Sequence, residues 1–281
     1  MFKCTELPGK TFASKEDMFH ALAKDQKRII ELKQAQIYKS CEKGQFSYLN
    51  LEVSKMTGAA KAGFDIKEGY IYPVISTTGY MDSHKDVHFP GCFAKTAKEQ
   101  QGKVYYALDH ELKWNSIIAW QKDVNMFVAP LDWSLVGKNY FGQTEGLVFE
   151  IPKDKINIPS VLNAIENKTS EFENSIRMVY YKMHLGINSN SKDLKENKAY
   201  FDSRINDIAN KEEAYKEDYF WGIEELGIRK EGSLVVAGGS NDATRILTAD
   251  NSIDPEQSSQ EEKAGPPESS QKVKSLFHNL I

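Results

Sequence analysis

The stretch "SIRMVYYKM", residues 175–183, alternates polar or small side chains with large apolar ones. Successive side chains of a β-strand point to opposite faces, so the alternation predicts a strand with two unlike faces. The predicted buried face holds the large apolar members of the run, which are Ile176, Met178 and Tyr180. Ser175 and Arg177 then share the accessible face.

The same period of two recurs between residues 45 and 91, where turns rich in Gly and Asp separate short runs. Further strands are predicted at 104–108, 117–120, 126–130, 146–151 and 227–238. Helices are predicted at an amphipathic N-terminal segment that ends near residue 44, within 92–103, and at a segment that Pro159 opens. The N-terminal helix follows Ser14 and Asp17, whose spacing is close to that of a capping box. The pattern predicts an α+β protein with a β-rich body.

Changes in composition divide the chain into three parts. Residues 1–44 are a helical extension, residues 45–248 form the body, and residues 249–281 are a tail rich in Ser, Gln, Glu and Pro. The tail holds too few apolar residues to offset the entropy of ordering, so it is predicted to be disordered, with a short terminal helix that folds only on a partner. Within the body, residues 188–220 are polar and mixed in charge, and residues 202–220 are predicted to form an inserted surface helix that serves as a lid or a dimer contact.

The overall composition excludes several classes of function. No apolar run approaches the roughly 20 residues that cross a bilayer, and the N-terminus lacks a secretory signal pattern. Three separated cysteines make no disulfide framework, which favours a reducing cytoplasm. The net charge of -4, without blocks of like charge, gives no reason to expect nucleic acid as a partner. Proteins and small molecules remain as partners.

Metal-type ligands are densest in "YMDSHKDVHFPG", residues 80–91. Glycine and proline bound this stretch, and histidines four apart share a face only on a helix. A mononuclear site would also need a third ligand, such as Asp109 or His110. The stretch is therefore interpreted as a solvated turn whose aspartates bind backbone amides, and no metal or cofactor is predicted. The candidate ligands are Asp82, His84, Asp86 and His88.

His110 follows an apolar run and is either a structural residue at the edge of the core or a general base. Neutral imidazole suits proton exchange with a serine hydroxyl near neutral pH, and Ser175 is a candidate nucleophile on an accessible strand face. A third group must orient the ring. Glu231 opens an otherwise apolar run and is either a solvated strand end or that orienting carboxylate.

The order of these motifs resembles that of the prohead serine proteases of tailed phages. "MDSHKDVHFPGCF" is followed by "LDHE" after a strand, then "GLVFEI", then "NSIRMVYY" and finally "EGSLVVAGGSNDATRI", which together span about residues 70–247. The resemblance implies a mainly antiparallel β-barrel flanked by helices, as in the herpesvirus assemblins. It also implies catalytic residues in the chain order His110, Ser175 and Glu231. The chain departs from the family pattern after the nucleophile, where "SIRM" stands for the usual Ser-x-Gly-Phe, and at "AGGSND", where Pro-Ala-Asn is common.

The resemblance further implies a serine endopeptidase that cleaves scaffold or major capsid protein inside the assembling prohead, in the cytoplasm of the host bacterium, and often cleaves itself. Backbone amides near Ser175, aided by Arg177, would hold the oxyanion. Asp109 and Glu111 are alternatives to Glu231 as the carboxylate that meets His110. The alternative, from a different class of function, is a catalytically silent scaffolding protein with a degenerate protease body. A Ser175 hydroxyl within hydrogen-bond reach of His110 favours the enzyme, and a distance far beyond one water favours the scaffolding protein.

Overall fold

The computed structural model of the chain describes residues 1–35, 61–236 and 239–249. Its α-helices are α1 (Lys15–Lys24), α2 (Gln26–Ala35), α3 (Ala94–Glu99), α4 (Pro159–Glu166), α5 (Lys195–Arg204) and α6 (Lys211–Glu217). Its strands are β1 (Tyr70–Thr77), β2 (Asp86–His88), β3 (Tyr105–Leu108), β4 (Ile117–Ala119), β5 (Asn125–Asp132), β6 (Gln143–Pro152), β7 (Glu173–Ile187), β8 (Tyr219–Val235) and β9 (Ile246–Leu247). The predicted α+β class is confirmed.

The N-terminal segment forms two helices, and the prediction of one continuous helix is wrong. Ser14 caps α1 through a complete capping box, in which its side chain accepts from the Asp17 amide and Asp17 accepts from the Ser14 amide. The chain leaves the helical conformation at Asp25, where the C-cap N–H still bonds to the Ala21 carbonyl, and α2 begins at the next residue. The strand predicted within residues 46–53 lies outside the described residues.

Two sheets form the body. The first has the order β5-β6-β1-β9, and all of its pairs are antiparallel. The second is mixed, and the long strand β8 lies at its centre. On one side β8 pairs in parallel with β2 and with β3, which in turn pairs with β4. On its other side β8 pairs with antiparallel β7 along nearly its whole length.

The predicted β-barrel is wrong for the part of the chain that is described, since the two sheets stay separate there. A closed barrel requires hydrogen bonding between the outermost strands, with a consistent stagger around the ring. The first sheet ends instead at β5 and at the two-residue strand β9, and neither of them pairs with the second sheet. The strands β2 and β3 both run parallel to β8, so the second sheet is also less antiparallel than predicted.

The core between the sheets determines which faces point toward the candidate site. Ile75 and Phe149 of the first sheet belong to the same buried cluster as Ile176 and Met178 of β7, which confirms the predicted buried face of "SIRMVYYKM". Gly232 of β8 also faces this core, because a Cβ there would lie 2.9 Å from the Phe149 ring. Its neighbours in the strand therefore point to the opposite face of the sheet.

Helices cover the remaining surfaces. Phe19 and Leu22 of α1 and Ile29 of α2 are buried in the same cluster as the strands of the body. The residues between β7 and β8 fold as α5, α6 and two short 3-10 turns, so the prediction of one inserted surface helix is wrong. Part of this insert is core, since Phe201 and Ala214 are completely buried. The tail predicted to be disordered begins at Ala249, and residues 250–281 lie outside the described part of the chain.

None of the helices in the described ranges is both long enough and apolar enough to span a membrane.

Candidate active site

The candidate catalytic residues come from three adjacent strands of the second sheet. Ser175 is near the start of β7 and pairs directly with Ser233 of β8. On the other side of β8, Ser233 pairs with Ala107 of β3, and His110 follows three residues after Ala107. The three strands therefore bring Ser175, Glu231 and His110 to one end of the sheet.

A left-handed turn carries His110 back over the sheet. Asp109 and His110 have φ angles of 49° and 59°, and the Asp109 amide donates to the Leu234 carbonyl at 3.0 Å. Asp and His are among the residue types that tolerate this conformation, which is uncommon for residues other than glycine. Two consecutive residues of this kind, held in place by the neighbouring strand, are typical of a functional site.

His110 binds the carboxylate of Glu231. The distance from its Nδ1 to Glu231 Oε1 is 2.9 Å, and both side chains are almost completely buried. A carboxylate oxygen only accepts from an imidazole nitrogen, so Nδ1 carries the proton and donates it. The Nε2 lone pair is then left to accept a proton. Glu231 lies within β8 and has no exposed surface, so its interpretation as a solvated strand end is wrong.

The alternative carboxylates make other contacts. Glu111 is exposed, and its two oxygens bind Lys113 Nζ at 2.9 Å and the Ser116 hydroxyl at 3.3 Å. Asp109 is also exposed, although it is adjacent to His110 in sequence. In the described residues the carboxylate that binds the imidazole is that of Glu231.

Ser233 is a member of the site that the sequence analysis missed. Its hydroxyl donates to Glu231 Oε2 and accepts from the backbone amide of His110 at 3.2 Å. It thus links the carboxylate to the turn that carries the imidazole. The spacing of Glu231 and Ser233, two apart in a strand, puts both on one face and was the available signal.

Ser175 lies beside Ser233 on the same face. Directly opposed residues of antiparallel strands have Cβ atoms about 4.5–5.5 Å apart, so one side chain separates Ser175 from the His110 turn. Ser175 is half-buried, and no described residue, His110 included, forms a hydrogen bond with its hydroxyl. The predicted accessible face of β7 is confirmed by its pattern, in which Ser175 and Arg177 are half-buried between buried neighbours.

Arg177 contacts the carboxylate of the site. Its Nε lies 3.3 Å from Glu231 Oε1, the same oxygen that binds His110. The N–H direction misses the oxygen, so the contact is an ion pair without a hydrogen bond. Within the described part of the chain, this buried Nε has no hydrogen-bond partner.

A second group of serine, histidine and glutamate serves as an internal comparison. His20 Nε2 lies 3.3 Å from the Ser191 hydroxyl and 3.6 Å from Glu16 Oε1. Both contacts involve the same ring nitrogen, so this imidazole cannot pass a proton from serine while the carboxylate holds its other nitrogen. The arrangement at His110, where Nδ1 binds the carboxylate, leaves Nε2 for that role.

The "YMDSHKDVHFPG" stretch is a buried structural element. As predicted, an aspartate binds backbone amides, since Asp82 Oδ1 accepts from the amides of His84 and Asp86 at 2.8 and 2.9 Å. The prediction of a solvated turn is wrong, because Asp82 is buried and residues 86–88 form β2. Burial, with Asp86 nearby, raises the pKa of Asp82 to about 6. The described residues contain no cluster of three His, Cys, Asp or Glu side chains arranged to hold a metal ion.

Comparisons with family models, curated proteins and solved structures returned no match to the chain.

Proposed function

We propose that the chain is a serine endopeptidase in which Ser175 is the nucleophile, His110 the general base and Glu231 the orienting carboxylate. The observation that supports this most strongly is the 2.9 Å contact between His110 Nδ1 and Glu231 Oε1, made beside the strand pair that carries Ser175. It provides a base of defined tautomer at the end of the sheet that carries Ser175, although in the described residues His110 forms no hydrogen bond with the Ser175 hydroxyl.

In the proposed reaction, His110 Nε2 takes the proton of Ser175 as Oγ attacks a peptide carbonyl, and the imidazolium then gives that proton to the leaving amine. Glu231 remains ionised, holds the ring through Nδ1 and stabilises the imidazolium. Backbone amides near Ser175 hold the oxyanion. Water hydrolyses the acyl-enzyme by the same route, with His110 again as the base.

The proposed substrates are segments of a phage scaffold or major capsid protein, and of the chain itself, within an assembling prohead in a bacterial host. This assignment depends on the resemblance of the motif order to the prohead proteases, and so does an assemblin-like arrangement of the body. In the "AGGSND" segment, which departs from the family pattern, Asn241 accepts from the Ala243 amide at 2.9 Å and donates to the Thr77 carbonyl at 3.2 Å. This buried link holds the end of the motif against β1.

The test is co-expression of the chain with the cognate capsid or scaffold protein, followed by intact masses of both. Wild type is expected to trim its partner, Ser175→Ala and His110→Ala to abolish processing, and Glu231→Gln to leave a smaller residual activity. Thermal melts of Ser175→Ala and His110→Ala check that the fold is intact. Trimming by Ser175→Ala at the wild-type rate contradicts the proposal. If the partner protein stays unprocessed with the wild type as well as with the variants, the scaffolding alternative is favoured.

A further inference from the structure

Glu231 is a buried carboxylate whose Oε1 has two partners of different kinds. His110 Nδ1 donates to this oxygen at 2.9 Å, and the Arg177 guanidinium lies 3.3 Å from it through Nε. Glu231 has no exposed surface, whereas about a quarter of the Arg177 side chain (27%) is exposed. A buried carboxylate needs a cation or several donors to remain ionised, and Arg177 is the nearest cation that contacts it among the described residues.

We propose that Arg177 is a positioning residue that acts through Glu231: it holds the carboxylate in place and offsets the charge that His110 experiences. The effect of Arg177 on catalysis rests on the proposed function. It differs from the oxyanion role expected from sequence, because the contact formed by Arg177 is with the carboxylate behind the imidazole. An arginine that acts on the oxyanion must instead reach the carbonyl oxygen of the substrate.

The two roles predict different pH profiles. Removal of Arg177 leaves the Glu231 charge uncompensated, so protonation of the imidazole becomes easier and the acidic limb of activity moves to higher pH. The plateau at high pH, where the base is neutral in either case, is unchanged. Loss of an oxyanion contact lowers the rate by the same factor at every pH. Among the described residues, the charged groups that face this end of the sheet are Glu231 of β8, Arg177 and Glu173 of β7, and Asp109, Glu111 and Lys113 of the His110 loop.

The experiment follows inactivation by diisopropyl fluorophosphate, which needs no knowledge of the natural substrate. Ser175 Oγ forms a bond to phosphorus, the P–F bond breaks with release of fluoride, and His110 takes the hydroxyl proton. Labelling rates from intact mass are measured between pH 5 and 9 for wild type, Arg177→Gln, Arg177→Lys, Glu231→Gln and the double variant with both glutamines. The matched control is Arg204→Gln. Arg204 lies 3.2 Å from Glu224, with which it forms an ion pair remote from Ser175, and its exposure is similar to that of Arg177.

We expect Arg177→Gln to be labelled about tenfold more slowly than wild type at pH 6 and equally fast at pH 9. Arg177→Lys and Arg204→Gln should keep the wild-type profile. In the Glu231→Gln background, removal of Arg177 should change nothing, because the charge through which it acts is gone. A uniform loss of rate at all pH values that persists in the Glu231→Gln background overturns the inference and favours the oxyanion role.

Thermal melts of the same variants separate failure of the inference from failure of the proposed function. If wild-type Ser175 is never labelled, the proposed function is wrong, yet the melts still test the link between Arg177 and Glu231. Arg177→Gln should lower the Tm by about 5 °C with Glu231 present and by about 1 °C in the Glu231→Gln background, where a neutral amide replaces the carboxylate. Equal losses of Tm in both backgrounds contradict the inference.

Discussion

Glu231 has no exposed surface, and three described side chains contact its carboxylate. One oxygen binds His110 and pairs with Arg177, and the other accepts from the Ser233 hydroxyl. Charge-assisted hydrogen bonds of this kind are stronger than neutral ones and fix the direction of the acceptor. Each partner comes from a different segment, so the carboxylate also ties the His110 turn and β7 to β8.

Ser233→Ala should weaken both the fold and the site. The change removes a donor to Glu231 and leaves the buried amide of His110 without its acceptor, which costs about 1–3 kcal/mol of unfolding free energy. Labelling of Ser175 by diisopropyl fluorophosphate should slow as well, because the His110 turn loses an anchor. Denaturant unfolding and labelling rates measure the two effects. Ser116→Ala is the control, since that buried hydroxyl binds the exposed Glu111; equal effects of both changes would refute the role of Ser233.

His88 should make stability depend on pH. Burial lowers its pKa from 6.5 to about 4, so between these values the unfolded chain binds a proton that the folded chain does not. Stability contributed by neutral His88 is therefore complete above pH 6.5 and is lost as the pH falls toward 4. Relative to His88→Leu, wild type should lose about 2 kcal/mol between pH 7.5 and 5.

The opposite slope expected from Asp82, whose raised pKa favours the folded state as the pH falls, is present in both proteins and cancels in that comparison. Urea unfolding at the two pH values gives the difference. A constant gap between wild type and His88→Leu would contradict the buried neutral state of His88.

Strand β8 pairs with β2, β3 and β7, and a buried ion pair joins the N-terminal helix α2 to β2. Lys33 of α2 binds Asp86 of β2, and both side chains are almost fully buried. Asp86 also accepts from the Tyr180 hydroxyl of β7 at 2.7 Å. The charge pair therefore fastens a helix, a short strand and a long strand at a single point.

Lys33→Met should cost about 3–5 kcal/mol of unfolding free energy, because it leaves the Asp86 charge buried without its cation. Adding Asp86→Asn should recover part of that loss. The control is Lys198→Met, which removes an i,i+4 surface pair with Asp202 and should cost less than about 0.5 kcal/mol. Chemical denaturation of the four proteins measures these losses of unfolding free energy. If Lys33→Met loses no more than the Lys198→Met control, this ion pair does not hold α2 in place.

Local rules in the sequence predict local features well. Alternation identified the two faces of β7, and the positions of Ser14 and Pro159 identified helix starts. The break at Asp25 was not predicted, because apolar spacing continues through it and only the cap geometry ends α1. Strand β2 was missed, since three residues carry too little periodicity and their burial depends on distant Lys33 and Tyr180.

Features that depend on strand pairing could not be predicted from alternation. Ser233 joins the site because β8 pairs with β7 on one side and with β3 on the other, and a register is not visible in either strand alone. The barrel was expected from the resemblance alone, and it is wrong because the outermost strands of the two sheets do not pair in the described residues. His110 and Glu231 were identified through their motifs, whereas their mutual contact comes from the parallel pairing of β3 with β8.

The second sheet packs one face against a core that it shares with the first sheet, and its opposite face is accessible along β7. Ile176 and Met178 face that core, while Ser175 and Arg177 face outward, so a single strand serves both packing and the proposed chemistry. The central claim is that Ser175 on this face is activated by His110.

Identification of the residue labelled by diisopropyl fluorophosphate, by peptide mass spectrometry, tests this claim most directly. A single adduct on Ser175 is expected in wild type, with labelling slowed by orders of magnitude in His110→Ala and by a smaller factor in Glu231→Gln. A fold check by thermal melting accompanies each variant. The result that would contradict the account is an adduct on another residue, or labelling of Ser175 at the same rate when folded His110→Ala replaces the wild type.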